Sequence, residues 1–331
     1  MQQRFRIVLA LIFSMIAAWA TSAIAGSFDG KTVNYIISTK PGGGYDAYGR
    51  LVAKYMQKHL PGSTFVVKNI PGAGQRAGAE TLYNSPADGL TIGIVNTSLI
   101  YGQIAGSYGE RLDFSRFSYI GKAATDSRVL MVGAKSSFKS IADLKAAGRP
   151  FKIGVNGKGS SGHFESALLA KLLGIEFQYV FGYEAGEAAL SILRGELDLT
   201  IGSRSSLQAN VDSGDGRFVL GYGGKAEKDI PQLEDAVGTN GEKSLLALIA
   251  SQAHNARVTM APPNMPEPIL QELRDAYKAA LADPALLAEA AQQKLPIDYA
   301  DGTTVAKVIA VSLNQPADIV VEIKALVAQG E

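Results

Sequence analysis

Apolar and amphipathic segments alternate along the chain from Lys31 onward. The first half contains the apolar runs VNYIIS, STFVVKN and LTIGIV, separated by amphipathic stretches over 46–59 and 77–83. In the stretch 46–59 apolar residues recur at helical spacing, which predicts one core-facing stripe, formed by Ala47, Leu51, Val52, Tyr55 and Met56. Strands alternating with helices predict a mainly parallel sheet with helices on both faces.

A second series of the same kind begins near Arg128. Its segments, in order, are VLMVGA, SIADLKAA, FKIGV, a helical stretch over 162–173, FQYVF, a helical stretch over 186–194 and LDLTIG. FVLGYGG extends the strand character, SLLALIASQ is typical of either a strand or a buried helix, and residues from Pro268 onward are predicted to be helical. Because no long linker separates the two series, we expect two α/β lobes packed across a cleft, where ligands commonly bind.

The first 25 residues have the pattern of a secretory signal peptide. Two arginines precede an apolar run over 7–19, and small residues end the segment just before Gly26. The apolar run is short for a bilayer span, which needs about 20 residues. We therefore predict export to the periplasm, with cleavage near Ala25-Gly26.

Composition narrows the function further. The 331-residue chain has a formal net charge of +1, and removing Arg4 and Arg6 with the signal peptide leaves −1, so no surface for nucleic acid is indicated. The chain contains no cysteine, which excludes disulfides, thiolate metal sites and a lipid-anchored amino-terminal cysteine. Three scattered histidines, His59, His163 and His254, argue against a metal centre, and no cofactor is expected.

Two glycine-rich loops, one in each series, suggest a binding site. STKPGGGYDA places three glycines before a helix, and FKIGVNGKGSSGH leads to a helix with a candidate cap at Ser160 or Ser161. A helix start exposes unpaired N–H groups and the positive end of the helix dipole, so each loop can hold an anion. Two helix starts facing each other across a cleft would suit a carboxylate. For either loop alone, a tight turn that binds nothing explains the glycines as well, and Asp46 is expected as an N-cap in either case.

Motifs for other chemistry are incomplete. GGGYDA has Ala47 where G-x-G-x-x-G needs its last glycine, and GVNGKGSS has serine where a P-loop needs lysine. The G-x-S-x-G elbow of hydrolases is absent around Ser161. His163 could serve Ser160 or Ser161 as a base, but no third catalytic group is visible. No catalytic residue is therefore assigned, and an exported serine hydrolase is kept as an alternative.

Longer motifs cover nearly the whole chain after the signal peptide. In order they are PGGGYDAYGRLVAKYM (41–56), VVKNIPGAGQRAGAETLYNSPADGLTIGI (66–94), FSYIGKAATDSRVLMVGAKSSFKSIADLKA (117–146), KIGVNGKGSSGH (152–163), GEAALSILRGELDLTIG (186–202) and APPNMPEPILQELRDAYKAALADPAL (261–286). A P-G-G loop followed by aspartate, N-x-P-G-A-G, and A-x-D-G before a strand form a specific combination. It resembles the solute-binding proteins of tripartite tricarboxylate transporters, also called Bug or TctC-like receptors.

The resemblance implies a two-lobed Venus-flytrap periplasmic binding protein, type II-like, with an α/β fold. Its first lobe would comprise 26–125 and its second 126–236, and the chain would return to the first lobe over 237–331. In such relatives a ligand carboxylate lies between the two glycine-containing loops, held by backbone amides and short hydroxyl side chains. Carried onto this chain, the ligand-binding residues of the loops are Gly43, Gly44, Tyr45, Asp46, Ser160, Ser161, Gly162 and His163.

Departures from the family pattern fall around the rest of the pocket. The chain has Ser38, Thr39 and Lys40 where many relatives have an aromatic residue and prolines, and YEAGEAAL where many have Tyr-Lys-Gly. The far end of the ligand is expected to meet Arg76, Asn96, Thr97, Ser98, Ser203 and Arg204. Both arginines could grip a second carboxylate in a bidentate fork, or lie solvated on the surface.

The sequence thus predicts a monomeric transport receptor and no enzyme. By closing its lobes it would capture a mono-, di- or tricarboxylate, aliphatic or aromatic, and present the solute to the membrane subunits of the transporter. The alternative among binding proteins is a receptor for another transporter class, with the same two-lobe shape and another solute.

Overall fold

The computed structural model describes residues 28–224 and 229–328, so the predicted signal peptide lies outside the described residues. Its strands within these ranges are β1 (Thr32–Ile37), β2 (Thr64–Asn69), β3 (Thr91–Ile94), β4 (Ser118–Lys122), β5 (Arg128–Gly133), β6 (Phe151–Val155), β7 (Phe177–Phe181), β8 (Leu199–Ser203), β9 (Gly216–Tyr222), β10 (Val258–Ala261) and β11 (Ala300–Asp301). They form two sheets, one in each lobe.

Helices cover the sheets. Those of the described ranges are α1 (Gly44–His59), α2 (Arg76–Tyr83), α3 (Ile100–Ile104), α4 (Ile141–Ala146), α5 (Ser161–Leu173), α6 (Ala185–Leu193), α7 (Arg204–Asp212), α8 (Asn240–His254), α9 (Glu267–Ala282), α10 (Pro284–Gln292), α11 (Gly302–Leu313) and α12 (Ala317–Ala328). No single helix within these ranges is long and apolar enough to cross a membrane. The pair formed by α11 and Ala317–Ala325 reaches that length and composition only across a 76° bend.

The first sheet has the strand order β11-β4-β10-β3-β1-β2. Its strand β1 lies parallel to both β2 and β3, with Thr32 opposite Thr64 and Asn34 opposite Thr91. By contrast, β10 runs antiparallel to both β3 and β4. The second sheet has the order β7-β6-β8-β5-β9, in which β6 is parallel to β7 and β8, and β5 is antiparallel to β8 and β9.

Both sheets are therefore mixed, where the alternating pattern predicted mainly parallel pairing. The strands that make antiparallel pairs include β5 and β10, which begin where the chain has just crossed from one lobe to the other. A strand that arrives from the other lobe needs no helical crossover within its own sheet, so it is free to enter in the opposite direction.

The chain passes between the lobes twice. It crosses over 123–127, between β4 and β5, and returns over 255–257, between α8 and β10. The segment SLLALIASQ, which fitted a strand or a buried helix, lies in α8. This helix packs against α5 and β5 of the second lobe. The lobe boundaries expected from the sequence stay a prediction, with second-sheet strands spanning 128–222.

The first helix is built as its apolar stripe predicts. It begins two residues earlier than expected, at Gly44, and buries Leu51, Val52, Tyr55 and Met56 against the first sheet and α9, while Ala47 is half-buried. Burial of this stripe fixes the direction of α1, and with it the position of the glycine loop at its amino end.

Candidate functional site

A cavity of about 90 Å³ lies between the lobes, at the carboxyl ends of the parallel strands. The loops that follow β1, β2 and β3 form its first-lobe wall, and those that follow β6, β7 and β8 form its second-lobe wall. Ligand sites in α/β proteins commonly lie at this edge of a sheet, because the loops there converge.

Four helices of the described chain begin at this cavity. The wall includes Gly43 and Gly44 at the start of α1 and Ser161 and Gly162 at the start of α5. It also includes residues at the starts of α6 and α7, namely Glu184, Gly186, Ser203 and Ser206. The dipole of each helix places a partial positive charge at its start, so four such charges surround the cavity.

Gly44 is a point where the backbone of the first lobe contacts the second lobe. Its N–H donates to Ser206 Oγ at 3.1 Å. A Cβ atom at this position would stand 2.6 Å from both Arg257 Nη2 and Ser205 Oγ, and 2.8 Å from Ser206 Oγ. Glycine is therefore required here for close approach, whereas Gly42 has a φ of +92°, which favours glycine for conformational reasons.

The expectation that Asp46 is an N-cap was wrong, because α1 begins at Gly44 with Gly43 as its N-cap and Asp46 lies in the first turn. Asp46 stabilises the first loop and is not part of the cavity wall. Its carboxylate accepts from Gly42 N at 3.0 Å, Arg50 Nε at 3.0 Å and Asn69 Nδ2 at 2.9 Å. Burial raises the pKa of Asp46, but the hydrogen bonds from Arg50, Gly42 and Asn69 outweigh burial and lower it. The carboxylate is thus turned away from the site, while Tyr45 lines the cavity and donates to Asn96 Oδ1 at 3.2 Å.

Asn96 joins the two lobes at the cavity. Its Nδ2 donates to Gln75 Oε1 at 2.5 Å and to Ser161 Oγ at 3.1 Å. The neighbouring residues lie outside the cavity wall, since Thr97 donates to the carbonyl of Asn255 and Ser98 donates to Gln252. Thr97 therefore connects the first lobe to the returning segment, and Ser98 connects it to α8.

Ser160 and His163 also lie outside the cavity wall. Ser160 is the N-cap of α5, and its Oγ accepts from His163 N at 3.3 Å. The imidazole of His163 accepts from Gly159 N at 3.2 Å and packs edge-on against Tyr179, with ring centroids 4.6 Å apart. Burial and the charge of Lys158 lower the pKa of His163. The two side chains are thus placed to build the loop.

Neither predicted arginine lines the cavity. Arg76 lies 3.1 Å from Glu80 and stacks over the ring of Tyr108 at 5.5 Å from its centroid. Arg204 is the first residue of α7, and its N–H donates to the carbonyl of Ser127 at 2.8 Å. Of the six residues expected at the far end of the ligand, the structure brings Asn96 and Ser203 to the cavity.

A buried ion pair in the wall was not anticipated from the sequence. Arg128, the first residue of β5, donates to Glu165 of α5 through Nε at 2.6 Å and Nη2 at 2.5 Å. Tyr222 also donates to Glu165, at 2.5 Å. Burial lowers the pKa of Arg128, but the attraction of Glu165 outweighs burial and raises it, so the guanidinium stays charged.

A second ion pair lies behind the cavity, at the two crossing segments. Arg257 is fully buried, and its Nη2 lies 2.5 Å from Asp126 and 2.8 Å from both Ser203 Oγ and Ser205 Oγ. The guanidinium also lies over the ring of Tyr45, 4.2 Å from its centroid. This pair connects both crossings to the start of α7.

The rim of the cleft carries contacts between the lobes. Lys40 Nζ lies 2.7 and 2.9 Å from the carboxylate oxygens of Glu187, and Lys40 N donates to Glu184 at 3.2 Å. On another part of the molecule, Lys294 lies 2.6 Å from Asp212. Together with the bonds of Gly44 and Asn96, these contacts show a closed arrangement of the lobes.

The comparisons with known proteins agree with this architecture. The family model described as tripartite tricarboxylate transporter family receptor matches residues 49–325. The chain belongs to this family. A curated relative from Pseudomonas sp. (strain P51), a UPF0065 protein in the tcbD-tcbE intergenic region, is 28% identical over 215 residues, and the alignment covers 63% of each chain.

Solved structures share the receptor's fold. MatC from Rhodopseudomonas palustris, solved with bound malate, superposes with a TM-score of 0.69 at 17% identity, covering 90% of this chain and 99% of that one. Another R. palustris protein, solved with adipate, gives a TM-score of 0.70 at 18% identity, covering 90% and 97%. The two-lobed α/β fold is thus that of periplasmic solute-binding proteins, as the sequence predicted.

The receptor's cavity also has polar wall residues that were not among the predicted ligand contacts. They include Thr39, Gln75, Asn156, Tyr183 and Gln252. Thr39 is 4% exposed, and its Oγ1 has no hydrogen-bond partner among the described residues. Among the residues that the structure describes, no group of three or more histidine, aspartate or glutamate side chains is placed to hold a metal ion.

The sequence held partial signals for this wall. Thr39 and the segment containing Tyr183 were noted as departures from the family pattern. For Glu165 the signal was an acidic residue three and four positions before Leu168 and Leu169, on the buried face of α5. Its partner Arg128 is 37 residues away along the chain, so the pairing itself depends on the tertiary fold.

Proposed function

We propose that this receptor binds a small carboxylate between its lobes in the periplasm and delivers the solute to the membrane subunits of a tripartite transporter. The observation that carries the proposal is the convergence of four helix starts on one cavity between the lobes. Unpaired backbone N–H groups and positive dipole ends favour an anion at such a point.

The hydroxyl of Thr39 supports a ligand in this cavity. A buried hydroxyl without a hydrogen-bond partner is unfavourable, and this one stands in the cavity wall. A bound carboxylate would accept from Thr39 and from the amides at the starts of α1 and α5. The ligand would thereby satisfy groups that the protein leaves open.

Closure of the lobes provides the mechanism of capture. The contacts of Gly44 with Ser206 and of Asn96 with Ser161 join opposite lobes. A ligand between the lobes gains contacts from both only when they are close, so binding shifts the population toward the closed form. Opening would then release the solute without a chemical change.

The solved relatives support the class of solute. One is described with malate and the other with adipate, both small dicarboxylates. At 17% and 18% identity they share the fold of this receptor, so they favour a carboxylate in general. Which carboxylate this receptor binds depends on the residues of its own cavity wall.

A ligand screen tests the proposal. The mature protein, residues 26–331, is heated with each of a panel of aliphatic and aromatic carboxylates and with neutral analogues. A ligand at 100 times its dissociation constant stabilises the folded state by about 2.7 kcal/mol, so at least one acid is expected to raise the melting temperature clearly. Mass spectrometry should recover that acid unchanged. Unchanged melting with every acid at saturating concentration would contradict the proposal.

A further inference from the structure

The charges on the cavity wall bear on which carboxylates fit. Among the described residues of the wall, the charged side chains are Arg128, Glu165 and Glu184, which leaves a formal charge of −1. Arg128 is the only cation of this set, and Glu165 already holds it in a bidentate pair. The described wall therefore offers no uncompensated cation for a second negative charge of a ligand.

Glu165 is held firmly in this role. Its side chain is 1% exposed, and it accepts from Tyr222 as well as from Arg128. Rotating the carboxylate away would leave a buried charge without a partner, which is strongly unfavourable. The pair is thus a fixed, neutral element of the wall.

The rest of the wall suits a neutral polar group. The carboxamides of Gln75, Asn96, Asn156 and Gln252 and the phenol of Tyr183 line the cavity, and each can donate or accept. A carboxamide or hydroxyl can be satisfied by these groups, whereas an unpaired carboxylate loses its hydration without gaining a counter-charge.

The size of the cavity limits the ligand. One water molecule needs about 10–15 Å³ of cavity. The cavity of about 90 Å³ therefore has room for roughly six to nine water molecules. Acids of about four carbons fit this limit.

We propose that the receptor selects a small monocarboxylate whose other end is neutral and polar, and that Glu165 disfavours dicarboxylates by neutralising Arg128. The inference rests on the proposed function, because it places the single carboxylate at the helix starts. The polar side chains of the wall would then bind the remainder of the ligand through hydrogen bonds, without an ion pair.

A matched series of ligands tests the inference. Succinamide, succinamate and succinate have nearly the same shape and are neutral, singly charged and doubly charged at pH 7. Titration calorimetry on the mature protein is expected to give succinamate a dissociation constant at least about tenfold lower than that of either other compound.

Two variants assign the effect to Glu165. Glu165→Gln keeps the shape and removes the charge, so Arg128 becomes available and the ratio of the succinate to the succinamate dissociation constant should fall at least about tenfold. Asp198→Asn also removes the charge of a paired carboxylate, but Asp198 pairs with Arg149 outside the cavity wall, so the same ratio should stay at the value of the unmodified protein. If Glu165→Gln does not fold, the ratio in the unmodified protein still decides the ligand class.

The outcomes separate the two proposals. Equal binding of succinamide and succinamate would overturn the proposed function, because the carboxylate would then contribute nothing. Succinate binding as tightly as succinamate in the unmodified protein would overturn only this inference, and so would an unchanged ratio in Glu165→Gln. If none of the three binds at millimolar concentration, this inference fails, while the broader panel of acids still decides the proposed function.

Discussion

At the scale of single residues, Gly44 shows how backbone without a side chain serves the site. The absence of Cβ lets Ser206 of the second lobe approach to within 3.1 Å of Gly44 N. By contrast, a Cβ added to the neighbouring Gly43 would have no atom within 4 Å, so Gly43 is not required for a close approach of the two lobes. The glycines of this loop therefore differ in the structural role that each one has.

Gly44→Ala should impair closure. The added methyl group would stand 2.6 Å from Ser205 Oγ and 2.8 Å from Ser206 Oγ of the second lobe, and overpacking of this kind costs about 1–3 kcal/mol. Because the crowded contact belongs to the closed form, we expect the affinity for the best carboxylate to fall about 5- to 150-fold by calorimetry. Gly157→Ala is the control, since a Cβ there meets nothing within 4 Å. Equal affinities of the two variants would contradict this role of Gly44.

Asp283, which is not part of the cavity wall, is expected to make the stability of the fold depend on pH. Asp283 lies between α9 and α10, where it accepts from Lys58 at 2.7 Å and from Ala285 N at 2.9 Å. These hydrogen bonds lower the pKa of Asp283 to about 2, from an ordinary value of 3.8. Its ionised form therefore stabilises the fold above about pH 4, and this contribution is lost as the pH falls toward 2.

Asp283→Asn should remove that contribution. We expect its melting temperature to lie below that of the unmodified protein at pH 5–7, with the gap closing between about pH 4 and 2.5. Lys58→Met should weaken the same pH dependence, because it removes the partner whose hydrogen bond lowers the pKa most. A gap that stays constant over this range would show that the carboxylate does not titrate as described.

At the scale of elements, two adjacent serines at the start of α5 have different roles. Ser160 caps the helix, whereas Ser161 lines the cavity and accepts from Asn96 of the other lobe. The family resemblance implied that both are ligand contacts. The direction of each side chain depends on which serine is the N-cap of α5, and the sequence was compatible with either Ser160 or Ser161.

The two serines should respond differently to alanine. Ser160→Ala removes the cap and should lower the free energy of unfolding by about 1 kcal/mol, with little effect on ligand affinity. Ser161→Ala removes the bond to Asn96 and a polar group of the cavity, so the affinity should fall by about 2- to 12-fold. Chemical denaturation and calorimetry on both variants check this. A loss of affinity in Ser160→Ala equal to that in Ser161→Ala would contradict the assignment.

Helices and strands were largely predictable because hydrophobic periodicity is a local property of the chain. Helix α1 was expected over 46–59 and α5 over 162–173, and each begins within two residues of its predicted start. The apolar run within α8 was ambiguous, since a buried helix and a buried strand have similar patterns. Antiparallel entry of β10 was not predictable, because it depends on the chain returning from the other lobe.

At the scale of the whole molecule, the closed form is held by contacts that are distributed along the cleft. Lys40 and Glu187 form an exposed ion pair across the rim, and such pairs contribute about 0–1 kcal/mol. The pair adds to closure without deciding it. The buried contacts of Gly44 and Asn96 lie deeper and are less accessible to salt.

Lys40→Met should therefore weaken ligand binding up to about fivefold at low ionic strength, and the difference should vanish in high salt. Arg149→Met is the matched control, because Arg149 pairs with Asp198 within the second lobe. Its affinity should equal that of the unmodified protein at every salt concentration. If both variants bind alike at low salt, the rim pair does not contribute to closure.

The most direct test of carboxylate binding between the lobes is a crystal structure of the mature protein with the carboxylate that raises its melting temperature most. Capture between the lobes requires that the carboxylate lie within hydrogen-bonding distance of backbone amides at the starts of both α1 and α5, with Thr39 donating to the ligand. A carboxylate held by one lobe alone, or bound away from this cavity, would contradict it.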